Sequence, residues 1–257
     1  MRGAPCAEGT PGSLHGEAVV RVGRGRGGRL RIDEVRSTAL LAVRPTDDAV
    51  YLVGGAATPL GGDRASLVVE VGAGATLCIR SVAAAVARPG PGAREARFAV
   101  RAVLGPGAAL WWEPEPGVPA DGCVMSAEAV VDMAPDSRLR WREEVVVGRC
   151  GERPGTWSSS LHVDRDGRPV LRHQVVVGDG CGPAVAGRRR AVGSLLVVGG
   201  APPQRVVRHG PAYAAAMPLA VGDATLVTAV APDHPALRRI VDDVVSGEPA
   251  TARPAAV

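Results

Sequence analysis

Four turn sequences feed four aliphatic runs at a nearly constant interval, and that spacing constrains the fold more than any other feature of the chain. The turns are Gly72-Ala73-Gly74-Ala75, Gly105-Pro106-Gly107-Ala108, Ala134-Pro135-Asp136-Ser137 and Arg165-Asp166-Gly167-Arg168. The first leucines after them, Leu77, Leu110, Leu139 and Leu171, stand 33, 29 and 32 residues apart. A strand-turn-strand unit repeated in this way exposes an apolar face that only a neighbouring unit covers, so the units are expected to stack into one elongated core.

The rest of the chain obeys the same grammar. Gly and Pro interrupt it at short intervals, and the runs between them are rich in valine and partly alternate, which predicts strands. The expected strands are Glu17–Val22, Arg29–Val35, Ala39–Arg44, Ala49–Val53, Ser66–Val71, Thr76–Val82, Arg94–Leu104, Ala108–Trp112, Val124–Asp132, Arg138–Gly148, Trp157–Asp164, Val170–Val177, Gly193–Val198, Arg205–His209 and Ala224–Val230. Helix signals are confined to two places. Asp233 caps and Pro235 suits the first turn of a helix over Ala236–Val245, with Leu237, Ile240, Val241, Val244 and Val245 on one face and Gly247 and Pro249 beyond its end. The alanine run of Pro211–Met217 predicts a second, shorter helix stopped by Pro218. The expected fold class is mainly β, a solenoid-like β-sandwich of stacked, layered sheets with one or two short α-helices. Residues 17–247 are expected to form a single domain, between a flexible N-terminal segment 1–16 and a flexible tail 248–257.

Composition sets what fills this frame and what chemistry it excludes. The chain has 257 residues, 46% of them hydrophobic, but only seven aromatic side chains, so its core is aliphatic. All 30 basic residues are arginine. Mechanisms that need an ε-amino group, namely the phosphate-binding loop, the Schiff base and the kinase lysine, are therefore excluded. The net charge of +4 is too small an excess to favour an arginine-rich nucleic-acid binder. The N-terminus offers no continuous apolar stretch after its arginine, and no run approaches the ~20 apolar residues of a membrane span, so a cytoplasmic protein without a membrane partner is expected. Five cysteines at irregular spacing (Cys6, Cys78, Cys123, Cys150, Cys181) predict reduced thiols.

Candidate chemistry is sparse. Gly23-Arg24-Gly25-Arg26-Gly27-Gly28 satisfies the dinucleotide pattern formally, yet the residues after it alternate like a strand, so it reads as a hairpin turn. No Gly-x-Ser-x-Gly elbow occurs. His162 and His173, on two strands joined by Asp166-Gly167, are placed to face each other across a hairpin as a metal pair or as plain structural residues. Carboxylates are more suggestive. Glu113 and Glu115 sit in a proline-stiffened segment after Trp111-Trp112, and alternation requires one of Glu143 and Glu144 to point inward. A buried carboxylate needs a partner, which an arginine, a polar channel or a metal would supply.

Taken in order, several segments resemble the UreD (UreH) family of urease accessory proteins. They are Pro59-Leu60-Gly61-Gly62-Asp63-Arg64, Val71-Gly72-Ala73-Gly74-Ala75, Pro114-Glu115-Pro116 with Pro119, Trp141-Arg142-Glu143, Gly148-Arg149, Gly151-Glu152, Asp166-Gly167 and Gly193-Ser194-Leu195-Leu196. The resemblance covers roughly residues 17–200. It implies a non-catalytic scaffold that binds apo-urease and UreF, which recruits the GTPase UreG carrying nickel. It also implies that inward polar residues line a route for nickel, a transient cargo with no tightly bound cofactor. Ni(II) exchanging weak oxygen and nitrogen ligands is served by dispersed carboxylates better than by a thiolate cage.

Carried over residue by residue, the resemblance makes Asp63, Glu115, Glu143 and Glu152 the nickel-transit candidates. Gly61, Gly62, Pro114, Pro116 and Arg149 become structural ones. Each acid also has a plain role: Gly61 and Gly62 permit a positive-φ turn in which Asp63 bonds backbone, and Arg149 pairs with Glu152. The chain departs from the family where a Thr-Lys-Val-Tyr-Arg pattern is expected, carrying Ala84, Ala85 and Ala87 at the Thr, Lys and Tyr positions. The alternative is a β-solenoid carbohydrate-active enzyme using Glu113/Glu115 or Glu143/Glu144 as acid and base, which the scarcity of aromatic platforms disfavours.

Overall fold

Short valine-rich runs between glycine turns cannot bury themselves individually, and the chain solves this by coiling between two sheets. The computed structural model describes residues 13–47, 49–55, 58–93, 95–181, 185–200 and 202–246. Two hairpins come first, β1 (His15–Arg24) with β2 (Leu30–Arg36) and β3 (Leu41–Pro45) with β4 (Val50–Gly54). A 3₁₀ turn, Arg26–Gly28, closes the first, so the glycine-rich segment is the hairpin that its alternating flank predicts. Then follow β5 (Arg64–Val71), β6 (Thr76–Ser81), the short β7 (Ala85–Ala87), β8 (Ala96–Leu104), β9 (Ala109–Glu113), the short β10 (Gly117–Pro119), β11 (Val124–Met133), β12 (Arg138–Val146) and β13 (Thr156–Arg165). The chain closes with β14 (Arg168–Gly178), β15 (Ala191–Val198), β16 (Arg205–His209), β17 (Ala212–Pro218), β18 (Ala224–Ala231) and helix α1 (His234–Val245).

The first sheet runs β14-β13-β11-β8-β5-β1-β2. The second runs β16-β17-β18-β15-β12-β9-β6-β4-β3, with β10 and β7 attached beside β12. Strands β5, β8, β11 and β13 are parallel in one sheet, and β4, β6, β9 and β12 are parallel in the other. Each coil crosses between sheets at a tight turn, closed by the N–H of Ala75, Ala108 or Ser137 donating to the carbonyl of Gly72, Gly105 or Ala134. The stacking is in register: Leu77, Leu110 and Leu139 are neighbours on adjacent strands and fully buried. Ile79, Trp112 and Trp141 form the next rung, with the two indoles stacked at 4.5 Å and 6° between planes.

Leu171 breaks the series. The expected fourth coil does not form, because Asp166 and Gly167 both adopt positive φ (54° and 69°), the backbone of a tight hairpin turn. β14 therefore folds back antiparallel on β13, and Leu171 reaches the core from the first sheet. This also decides the two histidines. His173 pairs with Leu161 and His162 with Arg172, so successive residues place the rings on opposite faces and they do not meet.

The second sheet is covered on both sides at its β15–β18 end. One face packs on the first sheet, while Leu195, Val197, Val227 and Ala229 on the other pack under α1. The Asp233 carboxylate caps α1 by accepting the Ala236 N–H at 2.8 Å, and Leu237, Ile240, Val241, Val244 and Val245 are its buried face. Burying each contributes about 2 kcal/mol. Ser246 closes the helix, its N–H bonded to the Asp243 carbonyl; Gly247 and Pro249 lie outside the described residues.

The helix expected over Pro211–Met217 is instead strand β17, paired antiparallel with β16 and β18. Ala212, Ala214 and Ala216 are buried in the cluster that contains α1, and their period of two admits the helix close to the sheet. Packing overrides the helix propensity of alanine there. Cys123, Cys150 and Cys181 are free thiols, Cys78 is buried beside Trp111, and Cys6 lies outside the described residues, as do positions 1–12 and 248–257 of the expected flexible ends. β1 already includes His15 and Gly16. Among the described residues no helix is long and apolar enough to cross a membrane.

Candidate functional site

Near the tight turns the inward residues are large and the two sheets pack solidly. Leu67, Val100, Ala129 and Leu161 are register-mates on the first sheet, facing the Trp112–Trp141 region of the second. Two residues further from the turns the first sheet carries Ala65, Phe98, Ala127 and Ser159, and the second carries Ser81, Pro114 and Glu143. The small side chains of Ala65, Ala127, Ser159 and Ser81 leave the interlayer unfilled around Phe98, and a cavity of about 360 Å³ results, which reaches Val100, Ala129, Trp112 and Trp141.

Three of the four sequence-predicted acids, Asp63, Glu115 and Glu143, line this one cavity. Glu143 projects from β12 between the sheets. One carboxylate oxygen accepts the Trp141 indole N–H at 3.0 Å and the other accepts the Ser159 hydroxyl at 2.7 Å, joining the layers. Glu115 follows β9 in the Pro114–Pro116 segment. Its backbone N–H donates to Ser81 Oγ at 2.9 Å, and the Pro116 carbonyl accepts the Ala85 N–H. Its carboxylate pairs with Arg238 Nη1 of α1 at 3.2 Å.

Asp63 is buried and wholly engaged with backbone. Its Oδ1 accepts from the Leu14 N–H and its Oδ2 from the Leu60 N–H, both at 3.0 Å. The turn is Leu60–Asp63, with the Asp63 N–H bonded to the Leu60 carbonyl. Gly62 alone takes positive φ (100°); Gly61, expected to share that role, does not, since such a turn needs the left-handed region only at its third residue. Glu152 is not among the cavity residues. It pairs with Arg149 on the loop after β12, Nε to Oε2 at 2.8 Å with a second contact through Nη2, and this guanidinium holds the carboxyl below the usual range.

Glu144 is expected from the sequence only as the partner of Glu143 in the alternative acid–base pair and not among the nickel-transit candidates. Alternation sends it to the face of β12 opposite Glu143, and because α1 covers that face, both residues point inward. Its side chain is 1% exposed. Oε2 lies 2.8 Å from His234 Nε2 and 3.1 Å from Arg238 Nε, while Oε1 has no partner. Burial opposes its ionisation most strongly, but the His234 contact and the charges of Arg142 and Arg238 prevail, and the carboxyl titrates below its ordinary value. Opposite faces also mean that Glu143 and Glu144 cannot flank one scissile bond, as a glycosidase pair must.

The second acidic pair is equally tied. Glu113 accepts from Arg140 Nε at 3.2 Å, and Glu115 is held by Arg238. His173 turns inward, where burial lowers its pKa against the opposing charge of Glu143. Among the described residues no group of three or more His, Cys, Asp or Glu side chains is placed to hold a metal ion. The departing alanines divide: Ala84 and Ala85 line the cavity beside the exposed Val82, and Ala87 is buried in the core.

A family model described as UreD urease accessory protein matches residues 15–256. Relatives named Urease accessory protein UreD include one from Parafrankia sp. (strain EAN1pec), 40% identical over 262 residues, covering 90% of this chain and 88% of the relative. Another, from Streptomyces coelicolor, is 41% identical over 243 residues, covering 89% of this chain and 94% of the relative. A third, from Streptomyces avermitilis, is 40% identical over 244 residues, with 89% and 96% covered.

Proposed function

The chain belongs to the UreD family of urease accessory proteins, and from that premise we propose that it is a non-catalytic scaffold that docks UreF and apo-urease and passes nickel between its two sheets. An accessory role in urease maturation follows from the family itself. In the finer reading, UreG reaches the scaffold through UreF and supplies the nickel, which crosses toward apo-urease as cargo and not as a resident cofactor. The work is cytoplasmic and involves neither membrane nor nucleic acid.

One observation carries the reading. Carboxylates far apart in sequence, Asp63, Glu115 and Glu143, converge on a single cavity that also takes in Glu128, Glu144 and Arg97 and whose other walls are mostly aliphatic and aromatic side chains. Single carboxylates spaced along a passage bind Ni(II) weakly enough to release it, which transit requires and storage does not. Trp141 and Ser159 engage Glu143 through neutral donors, so neither contact supplies a countercharge.

The test is a deletion strain together with a pull-down. The tagged chain is expected to retain UreF and apo-urease, and urease from cells lacking the gene is expected to contain little nickel. Fully active, nickel-loaded urease in a clean deletion would overturn the proposal.

A further inference from the structure

Four of the acids around the cavity, which also takes in Glu128, fall into two electrostatic kinds. Asp63 and Glu143 accept only from neutral donors, namely backbone N–H groups, an indole N–H and a hydroxyl. Glu115 and Glu144, which also line the cavity, are instead held by cations carried on or beside α1. Arg238 holds both at once, through Nη1 to Glu115 Oε1 at 3.2 Å and Nε to Glu144 Oε2 at 3.1 Å. His234 of the same helix takes the other side of Glu144 Oε2, and Arg142 adds its charge from β12. While α1 is seated, these two carboxylates have their charge compensated and attract a cation weakly.

We propose that Arg238 sets the affinity of the cavity wall for a divalent cation by neutralising two of its carboxylates at once. The inference rests on the cargo reading above and adds its regulation. Glu144 Oε1, Arg238 Nη2 and Arg142 Nε are all buried without a partner. The helix reaches the cavity wall through Arg238 and His234, and its remaining buried residues are the aliphatic face packed on β15, β17 and β18. Removing this guanidinium would therefore leave two carboxylates on the wall without their shared countercharge.

The experiment is titration of the full-length chain with Ni²⁺ by calorimetry. Arg238→Gln is expected to tighten binding about tenfold, and Arg238→Lys, which keeps the charge, to stay near the parent. Adding Glu115→Gln to Arg238→Gln is expected to return much of the gain. A folded Arg238→Gln that binds no more tightly, or a double variant that keeps the whole gain, overturns the proposal. Should Arg238→Gln fail to fold, Glu115→Gln alone decides: the compensated carboxylate predicts unchanged affinity, and a clear loss contradicts it. Tighter binding by Arg238→Gln together with nickel-loaded urease in cells lacking the gene would uphold this inference and strike only the delivery reading.

Discussion

Asp63→Ala separates an acid that serves the cargo from one that serves the chain. Both Asp63 oxygens accept a backbone N–H at 3.0 Å, from Leu14 and Leu60, in a residue 4% exposed. A hydrogen bond to a charged group contributes about 1.5–3 kcal/mol, and alanine leaves both donors buried and unpaired. The expected loss is about 4 kcal/mol, a large part of the ~5–15 kcal/mol by which a native domain is stable. Asp63→Asn keeps one acceptor oxygen and is expected to lose about half as much. Urea unfolding followed by tryptophan fluorescence reads this directly, since Trp111, Trp112, Trp141 and Trp157 are all buried. With a slope of about 2–3 kcal/mol per molar urea, the midpoint for Asp63→Ala should fall by about 1.5 M. A shift below about 0.3 M would refute this reasoning, and would assign any accompanying loss of urease nickel to the carboxylate acting on the ion itself.

Glu144→Gln should flatten the acid limb of stability. The Glu144 carboxyl titrates lower folded than unfolded, so its stabilisation is complete above the ordinary value of about 4.3 and is lost as pH falls through the folded one. Thermal midpoints between pH 3 and 7 check this, and parallel curves for parent and variant would contradict it. Gly117→Ala would place a methyl group 2.4 Å from the Trp157 ring, so a loss of about 1–3 kcal/mol and a melting point lower by about 5 °C are expected from calorimetry. Burial raises the Cys123 thiol to about 11, whereas Cys150 is exposed. Iodoacetamide at pH 8 should therefore label Cys150 in the native chain and spare Cys123, as peptide mass mapping would show.

The coil was legible wherever a local signal and a packing demand coincide. Leu77, Leu110 and Leu139 mark it because each follows a turn that sends the chain to the opposite sheet. Leu171 carries the same local signal, but the positive φ at both Asp166 and Gly167 reverses the strand instead, a property of backbone conformation and not of leucine spacing. Ala212–Pro218 misleads for a related reason: alanine favours helix in isolation, and only the arrival of α1 from twenty residues later makes its small side chains a strand face. Alternation predicts that one of Glu143 and Glu144 turns inward. Both do, because α1 covers the far face of the second sheet, which no pattern within β12 reveals. The resemblance-based acids converge for Asp63, Glu115 and Glu143 but not for Glu152, whose arginine partner three residues away was itself visible in the sequence.

Glu143 bridges the two sheets inside the cavity, accepting from the Trp141 indole and the Ser159 hydroxyl, neither of which carries a countercharge. Glu143→Gln preserves size and an acceptor for Trp141 or Ser159, so the fold and the complex with UreF and apo-urease should survive in a pull-down. The measurement is nickel per urease active site, by atomic absorption, after co-expression with the variant. A several-fold fall in nickel with the complex intact is the predicted result, and full nickel occupancy with the same intact complex would contradict it.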